Sequence, residues 1–223
     1  SAASDVYKRQ KFYTQMIDKL KNEIIKNSKI LTSAGFNIGS EGNLSIKVKD
    51  KIIITPSGIN YEDLNINKIS EVDLDGYQIN NNKPSSEIKM HIQIYKSRKE
   101  INSIVHCHSV WASIISCLRE TITSFHYMVA EFGGDDIKCS KYATFGSLEL
   151  AKYIVQASTK RKGCLIANHG QVCFGKNIKE ALNLSFALEK LSKEFYFCLI
   201  SGKLKRISKS KMKEAISLFG KYK

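Results

Sequence analysis

Short apolar runs of strand length alternate along the chain with longer amphipathic segments at helical spacing. Residues 11–34 and 177–200 repeat apolar side chains every three or four positions, which is typical of helices that pack on one face. The runs LSIKV, KIIIT, INSIVHCH and GCLIAN are rich in Ile, Val and Leu and are bounded by turn residues, which is typical of strands. The alternation predicts an α/β fold, with helices on both faces of a mixed or antiparallel central sheet.

The second predicted helix begins at PSSE and continues to about residue 98. Pro84 restricts the chain before it, Ser85 or Ser86 is expected to cap it, and Glu87 is expected in its first turn. Further helices are predicted at 109–118, 145–158 and near 212–220, and further strands at 69–74 and 171–175. Residues 122–140 are expected to be irregular.

No internal repeat and no linker-like stretch divides the sequence, so residues 11–223 are predicted to form a single domain. The first ten residues, SAASDVYKRQ, are interpreted as a possible non-native leader, and they lack the apolar core of a signal peptide. No run of about 20 apolar residues is present, so no membrane span is expected.

Charge and cysteine usage narrow the class of protein. The net charge of +14 is spread along the chain and no nucleic-acid-binding motif accompanies it, so a solvated lysine surface is favoured over a nucleic-acid partner. None of the six cysteines forms a CxxC pair, and most lie in apolar segments. This usage favours free, buried thiols in a protein of the reducing cytoplasm.

Two histidines one residue apart end an apolar run in SIVHCHSVW. On a strand, His106 and His108 would point to the same face, and Cys107 between them would face the opposite way as inert packing. His169 lies at a predicted turn in NHG, and Glu87 lies at the start of a helix. Three imidazoles and one carboxylate are a plausible tetrahedral zinc site, although a packed histidine pair at a strand end is the competing interpretation.

Three further stretches, GSEGN, TPSG and PSSE, expose backbone amides and hydroxyl groups. PSSE also opens a helix, whose free N–H groups attract anions. Together the three stretches are compatible with a phosphate cradle or with three ordinary turns.

The motifs become specific when they are taken in order, and together they resemble the class II aldolase/adducin family from about residue 14 to the C-terminus. Within that family the sequence is most similar to the L-fuculose 1-phosphate aldolases. The motifs are GNLS (42–45), ITPSG (54–58), PSSE (84–87), IVHCHS (104–109), HYM (126–128), YATFGS (142–147) and NHG (168–170).

The resemblance implies a three-layer α/β/α fold around a mostly antiparallel sheet. It also implies a cytoplasmic homotetramer with active sites between subunits and one Zn²⁺ per subunit. His106, His108 and His169 match the zinc ligands, and Glu87 matches a residue that ligates zinc in the resting enzyme and then acts as acid/base.

Other matched positions concern substrate. The phosphate-binding positions correspond to Asn43, Ser57, Gly58, Ser85 and Ser86. Tyr127 matches a tyrosine that reaches into the neighbouring subunit's site, and Tyr222 lies where such aldolases carry a second catalytic tyrosine. His126 is interpreted as a packing residue, and Asn168 as a position that tunes the metal site or sugar choice.

The activity that the resemblance implies is zinc-dependent cleavage of a ketose 1-phosphate to dihydroxyacetone phosphate and an aldehyde. L-Ribulose 5-phosphate 4-epimerase and related sugar-phosphate decarboxylases or dehydratases share the metal site and stay as alternatives. Glu87, HYM and YATFG favour the aldolase over the epimerase. A non-catalytic adducin-like interaction domain is a second alternative, and the presence of all three histidines with Glu87 argues against it.

Overall fold

A computed structural model describes residues 2–221, which contain six α-helices and six β-strands. The helices are α1 (Ala2–Ser33), α2 (Ile88–Ser97), α3 (Val110–Leu118), α4 (Leu148–Ala157), α5 (Ile178–Ile200) and α6 (Lys209–Lys221). The strands are β1 (Asn43–Val48), β2 (Lys51–Ile54), β3 (Ser70–Asp73), β4 (Ser103–Cys107), β5 (Gly163–Ile166) and β6 (Gly170–Gly175). Short 3₁₀ helices span Tyr61–Asp63, Ile66–Lys68 and Tyr127–Phe132.

The six strands form one sheet in the order β3-β2-β1-β4-β6-β5, and every neighbouring pair is antiparallel. The predicted α/β fold with an antiparallel sheet is therefore confirmed. The pairing of β1 with β4 sets Asn43 directly opposite His106. This register brings two of the motifs noted in the sequence to the same end of neighbouring strands.

Alternating strand residues divide the core between the two faces of the sheet, as the period of a strand requires. Ile52, Ile54 and Ile104 face α2 and α4. Leu44, Ile53, Val105 and their neighbours on that side face α1 and the first part of α5. A third apolar cluster joins α3, α6 and the rest of α5. Because His106 is two residues after Ile104, its side chain lies on the α2 face.

Four predicted helix starts differ from the structure by three residues or more. Helix α4 begins at Leu148 instead of residue 145, and α6 begins at Lys209 instead of about residue 212. Helix α1 begins at Ala2 instead of residue 11, since residues 2–10 contain no Pro or Gly that would stop a helix. Helix α2 begins at Ile88, with Glu87 in the N-cap position and no side-chain cap. Ser85 therefore caps no helix; its Oγ accepts the Glu87 N–H at 3.3 Å and its carbonyl accepts the Ile88 N–H at 3.1 Å.

The six cysteines are free, and Cys107, Cys164 and Cys173 are buried. Within residues 2–221, no helix combines the length and the apolar character that crossing a bilayer requires.

Candidate active site

The two histidines of β4 lie side by side at the end of the strand. His106 is fully buried, and His108 follows the last strand residue with its ring centroid 5.0 Å from that of His106. The backbone N–H of His108 donates to the Phe36 carbonyl at 3.1 Å, which continues the extended chain past the strand end. Cys107 faces the other side of the sheet as predicted, where burial raises the pKa of its thiol to about 12.

The third histidine comes from the turn between β5 and β6. Asn168 adopts a left-handed conformation with φ of 54°, and β6 starts at Gly170, so the chain reverses at His169. The His169 ring centroid lies 4.8 Å from those of His106 and His108. One ring nitrogen from each histidine lies within 4.8 Å of the other two. The fold thus joins three side chains that are 2 and 61 residues apart in sequence.

The Glu87 carboxylate completes the cluster from the start of α2. Its Oε2 lies 3.1 Å from His106 Nε2, and its Oε1 lies 3.7 Å from His169 Nε2. Asn43 Nδ2 donates to Oε2 at 2.9 Å. Oε1 is buried and has no hydrogen-bond partner. A buried carboxylate oxygen without a partner is costly, so this atom is suited to a ligand that supplies positive charge or a proton.

The protonation states of Glu87 and the neighbouring histidines favour the binding of a cation. Burial alone would raise the pKa of Glu87, but His106 and the hydrogen bond from Asn43 hold it well below its usual value. Burial and the neighbouring His106 lower the pKa of His108 to about 3 and that of His169 to about 4. Burial alone would lower the pKa of His106, but Glu87 and the Gln171 carbonyl raise it above its usual value. At neutral pH the site therefore presents a carboxylate and two neutral imidazoles, those of His108 and His169, which are the forms in which these side chains bind metals.

The donor set fits a divalent metal ion. The Gln171 carbonyl accepts a hydrogen bond from His106 Nδ1 at 2.7 Å, and His106 Nε2 lies 3.2 Å from His108 Nε2. Such an outer carbonyl partner is what orients a metal-ligating histidine in proteins. Three imidazoles with one carboxylate suit zinc and related transition metals.

A cavity of about 530 Å³ opens beside this cluster. Five candidate phosphate-binding residues line it: Asn43, Ser57, Gly58, Ser85 and Ser86. Three turns from distant parts of the sequence therefore line one cavity, beside the N-terminal end of the ten-residue helix α2. The free N–H groups and dipole at such an end favour an anion.

The candidate tyrosine Tyr127 does not lie in this cavity. Tyr127 is 55% exposed and its ring stacks with that of Phe219 on α6, with centroids 6.4 Å apart. It does not line the cavity beside the histidines. Tyr222 lies outside the described residues. His126 accepts the Met128 N–H at 3.2 Å and stacks on Tyr127, which is a local packing role.

Sequence reasoning did not single out every residue near the cluster. Glu41 lines the cavity, and its Oε2 lies 3.7 Å from His108 Nδ1. Asn168, which the resemblance did single out, also lines the cavity and accepts a hydrogen bond from Arg119 Nε at 2.9 Å. His91, buried behind Asn43, is 2.5 Å from the Asn43 Oδ1 atom. Glu87 and His91 are four residues apart, which places them on one side of the α2 segment, but nothing in the sequence indicates the contact of His91 with Asn43.

At Gly42, the loop before β1 packs closely against strand β4. Its φ is +66°, and a Cβ there would lie 2.6 Å from both the His106 carbonyl oxygen and Asn37 Oδ1. Gly35 has a similar φ of +73°, but a Cβ there would meet nothing within 4 Å. The two glycines therefore have similar left-handed backbone conformations, but an added Cβ would clash with neighbouring atoms only at Gly42.

Gly42→Ala is expected to lower the free energy of unfolding by about 2–5 kcal/mol, the sum of a left-handed backbone penalty and overpacking. Gly35→Ala should cost only the backbone part, about 1–2 kcal/mol. Urea unfolding of both variants measures the difference. Equal losses would show that the close approach at Gly42 is relieved without cost.

Known proteins share this arrangement of sequence and fold. The family model for the class II aldolase and adducin N-terminal domain matches residues 22–196. A 5-methylthioribulose-1-phosphate/5-deoxyribulose-1-phosphate aldolase of Rhodospirillum rubrum is 36% identical over 203 residues, covering 91% of this chain and 92% of the relative. An L-fuculose phosphate aldolase of Haemophilus influenzae is 37% identical over 205 residues, covering 92% and 95%.

A solved structure, described as an L-fuculose 1-phosphate aldolase, superposes with a TM-score of 0.87 at 32% identity. The alignment covers 91% of this chain and 96% of that one. Sequence and backbone therefore agree over nearly the whole length of these relatives.

Proposed function

The chain belongs to the class II aldolase and adducin family, and we propose that it cleaves a ketose 1-phosphate to dihydroxyacetone phosphate and an aldehyde. The relatives reported above are named for aldolases of 5-methylthioribulose 1-phosphate, 5-deoxyribulose 1-phosphate or L-fuculose phosphate. The names share a sugar phosphate and differ in the aldehyde end. The sugar-phosphate substrate class is therefore proposed from the feature that these names share. The identity of the aldehyde is to be determined by experiment.

One observation carries the proposal: the three histidines and the Glu87 carboxylate converge beside a cavity that hydroxyl-bearing turns also line. A non-catalytic interaction domain would have no need to bury a carboxylate oxygen without a partner beside three imidazoles. This arrangement supports an enzyme over the adducin-like alternative.

His106, His108, His169 and Glu87 would hold one divalent cation, which we propose is zinc. When bound, the cation would act as a Lewis acid that withdraws negative charge from the substrate oxygens as the C3–C4 bond breaks. Class II aldolases as a group depend on a metal ion.

The phosphate is proposed to bind along the wall that the three turns contribute to the cavity. The hydroxyls of Ser57, Ser85 and Ser86 and the backbone at Gly58 line that wall. Binding energy from this unreactive end would hold the scissile bond against Glu87, which lowers the entropic part of the barrier. Ser85 and Ser86 immediately precede Glu87, so phosphate contact and proton transfer share one short segment.

Proton transfer is proposed for Glu87 and Tyr127. In the direction of condensation, the Glu87 carboxylate takes a proton from C3 of dihydroxyacetone phosphate, and C3 then bonds to the aldehyde carbon. Tyr127 gives its phenolic proton to the aldehyde oxygen. Cleavage follows the same steps in reverse. Tyr222, at the end of the chain, is proposed as a second tyrosine in this role.

The position of Tyr127 bears on assembly. Its exposed ring does not line the cavity of its own chain. We therefore propose that it serves the site of a neighbouring subunit in a homotetramer. The mass in solution measures the number of subunits. A mixing experiment tests the shared site: an inactive Tyr127→Phe chain and an inactive Glu87→Gln chain should restore activity when they are combined.

Product analysis tests the proposed activity. Purified protein is incubated with dihydroxyacetone phosphate and a panel of aldehydes, including acetaldehyde, lactaldehyde and methylthioacetaldehyde, and the ketose 1-phosphate products are identified with their stereochemistry. An aldolase forms a new C3–C4 bond with at least one aldehyde. Interconversion of pentulose 5-phosphates without any condensation would instead identify an epimerase and refute the proposal.

A further inference from the structure

A line of buried polar side chains runs from the Glu87 carboxylate into the space between the sheet and α2. Asn43 Oδ1 is 2.5 Å from His91 Nε2, His91 Nδ1 is 2.6 Å from Ser45 Oγ, and Ser45 Oγ is 2.7 Å from the Tyr95 hydroxyl. These four side chains are at most 2% exposed. The three that lie behind Asn43 have no part in the steps proposed above.

Two regular elements supply the whole line. Glu87, His91 and Tyr95 are spaced four residues apart, so they lie on one face of the α2 segment. Asn43 and Ser45 are two residues apart on β1 and face that same side of the sheet. Helix and strand therefore alternate as sources of the hydrogen-bonding groups, from the cavity inward.

The direction of each hydrogen bond follows from the carboxylate. Ionised Glu87 only accepts, so Asn43 presents Nδ2 to it and Oδ1 to His91. His91 Nε2 must then carry a proton. Burial, aided by the charge of His106, lowers the pKa of His91 to about 3, so the ring is neutral and its Nδ1 is an acceptor.

The remaining two bonds are then determined as well. Ser45 donates its proton to His91 Nδ1, and its oxygen accepts from the Tyr95 hydroxyl. Donation therefore runs one way, from Tyr95 through Ser45, His91 and Asn43 to Glu87. In a chain of this kind each bond polarises the next.

We propose that His91 is a positioning residue, which locks the Asn43 amide so that its N–H groups face Glu87 and the substrate. This inference rests on the proposed function. A reversed amide would place Oδ1 against the carboxylate and would remove a charge-assisted hydrogen bond from Oε2. With the amide locked, Oε2 is occupied by Asn43, and the unpartnered Oε1 is the oxygen left for the reacting proton.

Variants of His91 separate positioning from packing. His91→Leu removes the donor to Asn43 and is expected to lower kcat for cleavage by about 10–100-fold, the usual effect of losing an outer partner of a metal site. KM should change little, because the phosphate wall does not contact His91. His91→Gln can place its Nε2 near that of the imidazole, so it should recover most of the lost kcat.

Two milder variants keep the test valid if His91→Leu does not fold. Ser45→Ala removes the donor that fixes the imidazole tautomer, and Tyr95→Phe removes the outermost hydroxyl. Both are expected to lower kcat, with Ser45→Ala the larger effect. Tyr153→Phe is the matched control for the hydroxyl, since Tyr153 hydrogen-bonds Glu149 at 2.8 Å outside the cavity. It should leave kcat unchanged.

A second readout does not depend on turnover. In protein labelled with ¹⁵N-histidine and loaded with zinc, the His91 signals are those missing from His91→Gln. Protonated Nε2 with bare Nδ1 is expected in the wild type. A proton on Nδ1, or wild-type kcat in both Ser45→Ala and the folded His91→Leu, would overturn the inference. Absence of any cleavage by the wild type would instead refute the proposed function, and the tautomer would still test the hydrogen-bond line.

Discussion

Glu87→Gln is expected to fold normally and to lose catalytic turnover by about 10²–10⁴-fold, the usual contribution of a positioned acid or base. The amide has nearly the same shape and can still accept the hydrogen bond that Asn43 gives to Oε2. It cannot take a proton from carbon. The sharpest measurement is exchange of the C3 hydrogen of dihydroxyacetone phosphate with deuterated solvent, which requires that step alone and no aldehyde.

A matched control uses a carboxylate elsewhere on the sheet. Glu71 accepts hydrogen bonds or ion pairs from Lys21 at 2.8 Å and Lys51 at 2.9 Å, and it does not line the cavity. Glu71→Gln should keep the wild-type exchange rate per folded molecule. Exchange at the wild-type rate in Glu87→Gln would remove Glu87 from proton transfer.

His106→Ala is expected to purify without its metal ion and to show only background cleavage. His106 is fully buried, lies 3.1 Å from Glu87 Oε2 and is adjacent to both other histidines. Its loss leaves two imidazoles and a buried carboxylate without their central partner, and uncompensated buried charge is strongly unfavourable. Elemental analysis measures the metal content, and circular dichroism checks that the variant remains folded.

His126→Ala is the control for the loss of a histidine. His126 lies outside the cluster, where it accepts a backbone N–H and stacks on Tyr127. This variant should retain its metal ion. Full metal content in folded His106→Ala would contradict the assignment of His106 as a ligand.

The fold was predictable where local patterns decide it. Apolar periodicity located the strands and the main helices, and strand alternation placed His106 and His108 on one side with Cys107 on the other. The order β3-β2-β1-β4-β6-β5 was not predictable in the same way, because pairing such as that of Asn43 with His106 joins segments far apart in sequence.

At the start of α2, the usual preference for a serine N-cap is not followed. Serines before a helix usually cap it, so Ser85 or Ser86 was the natural prediction. In the structure Glu87 takes the N-cap position, and its carboxylate contacts Asn43 and His106 instead of capping the helix. Functional groups are where such departures from local preference are expected.

The hydrogen-bond line behind Asn43 required the structure. His91 and Tyr95 follow Glu87 at helical spacing, but the sequence alone cannot tell that β1 supplies the intervening groups. For Tyr127 the reverse holds, because its motif was recognisable in the sequence but its ring does not line the cavity of its own chain. Its proposed role therefore requires contact between two chains.

Removing and restoring the metal ion tests the central claim most directly. Protein is stripped with a chelator, assayed for release of dihydroxyacetone phosphate from a ketose 1-phosphate, and then titrated with zinc. We expect cleavage to vanish with the ion and to return in proportion to added zinc, with a plateau at one ion per chain. Metal-free protein that cleaves the substrate at the full rate would contradict the account.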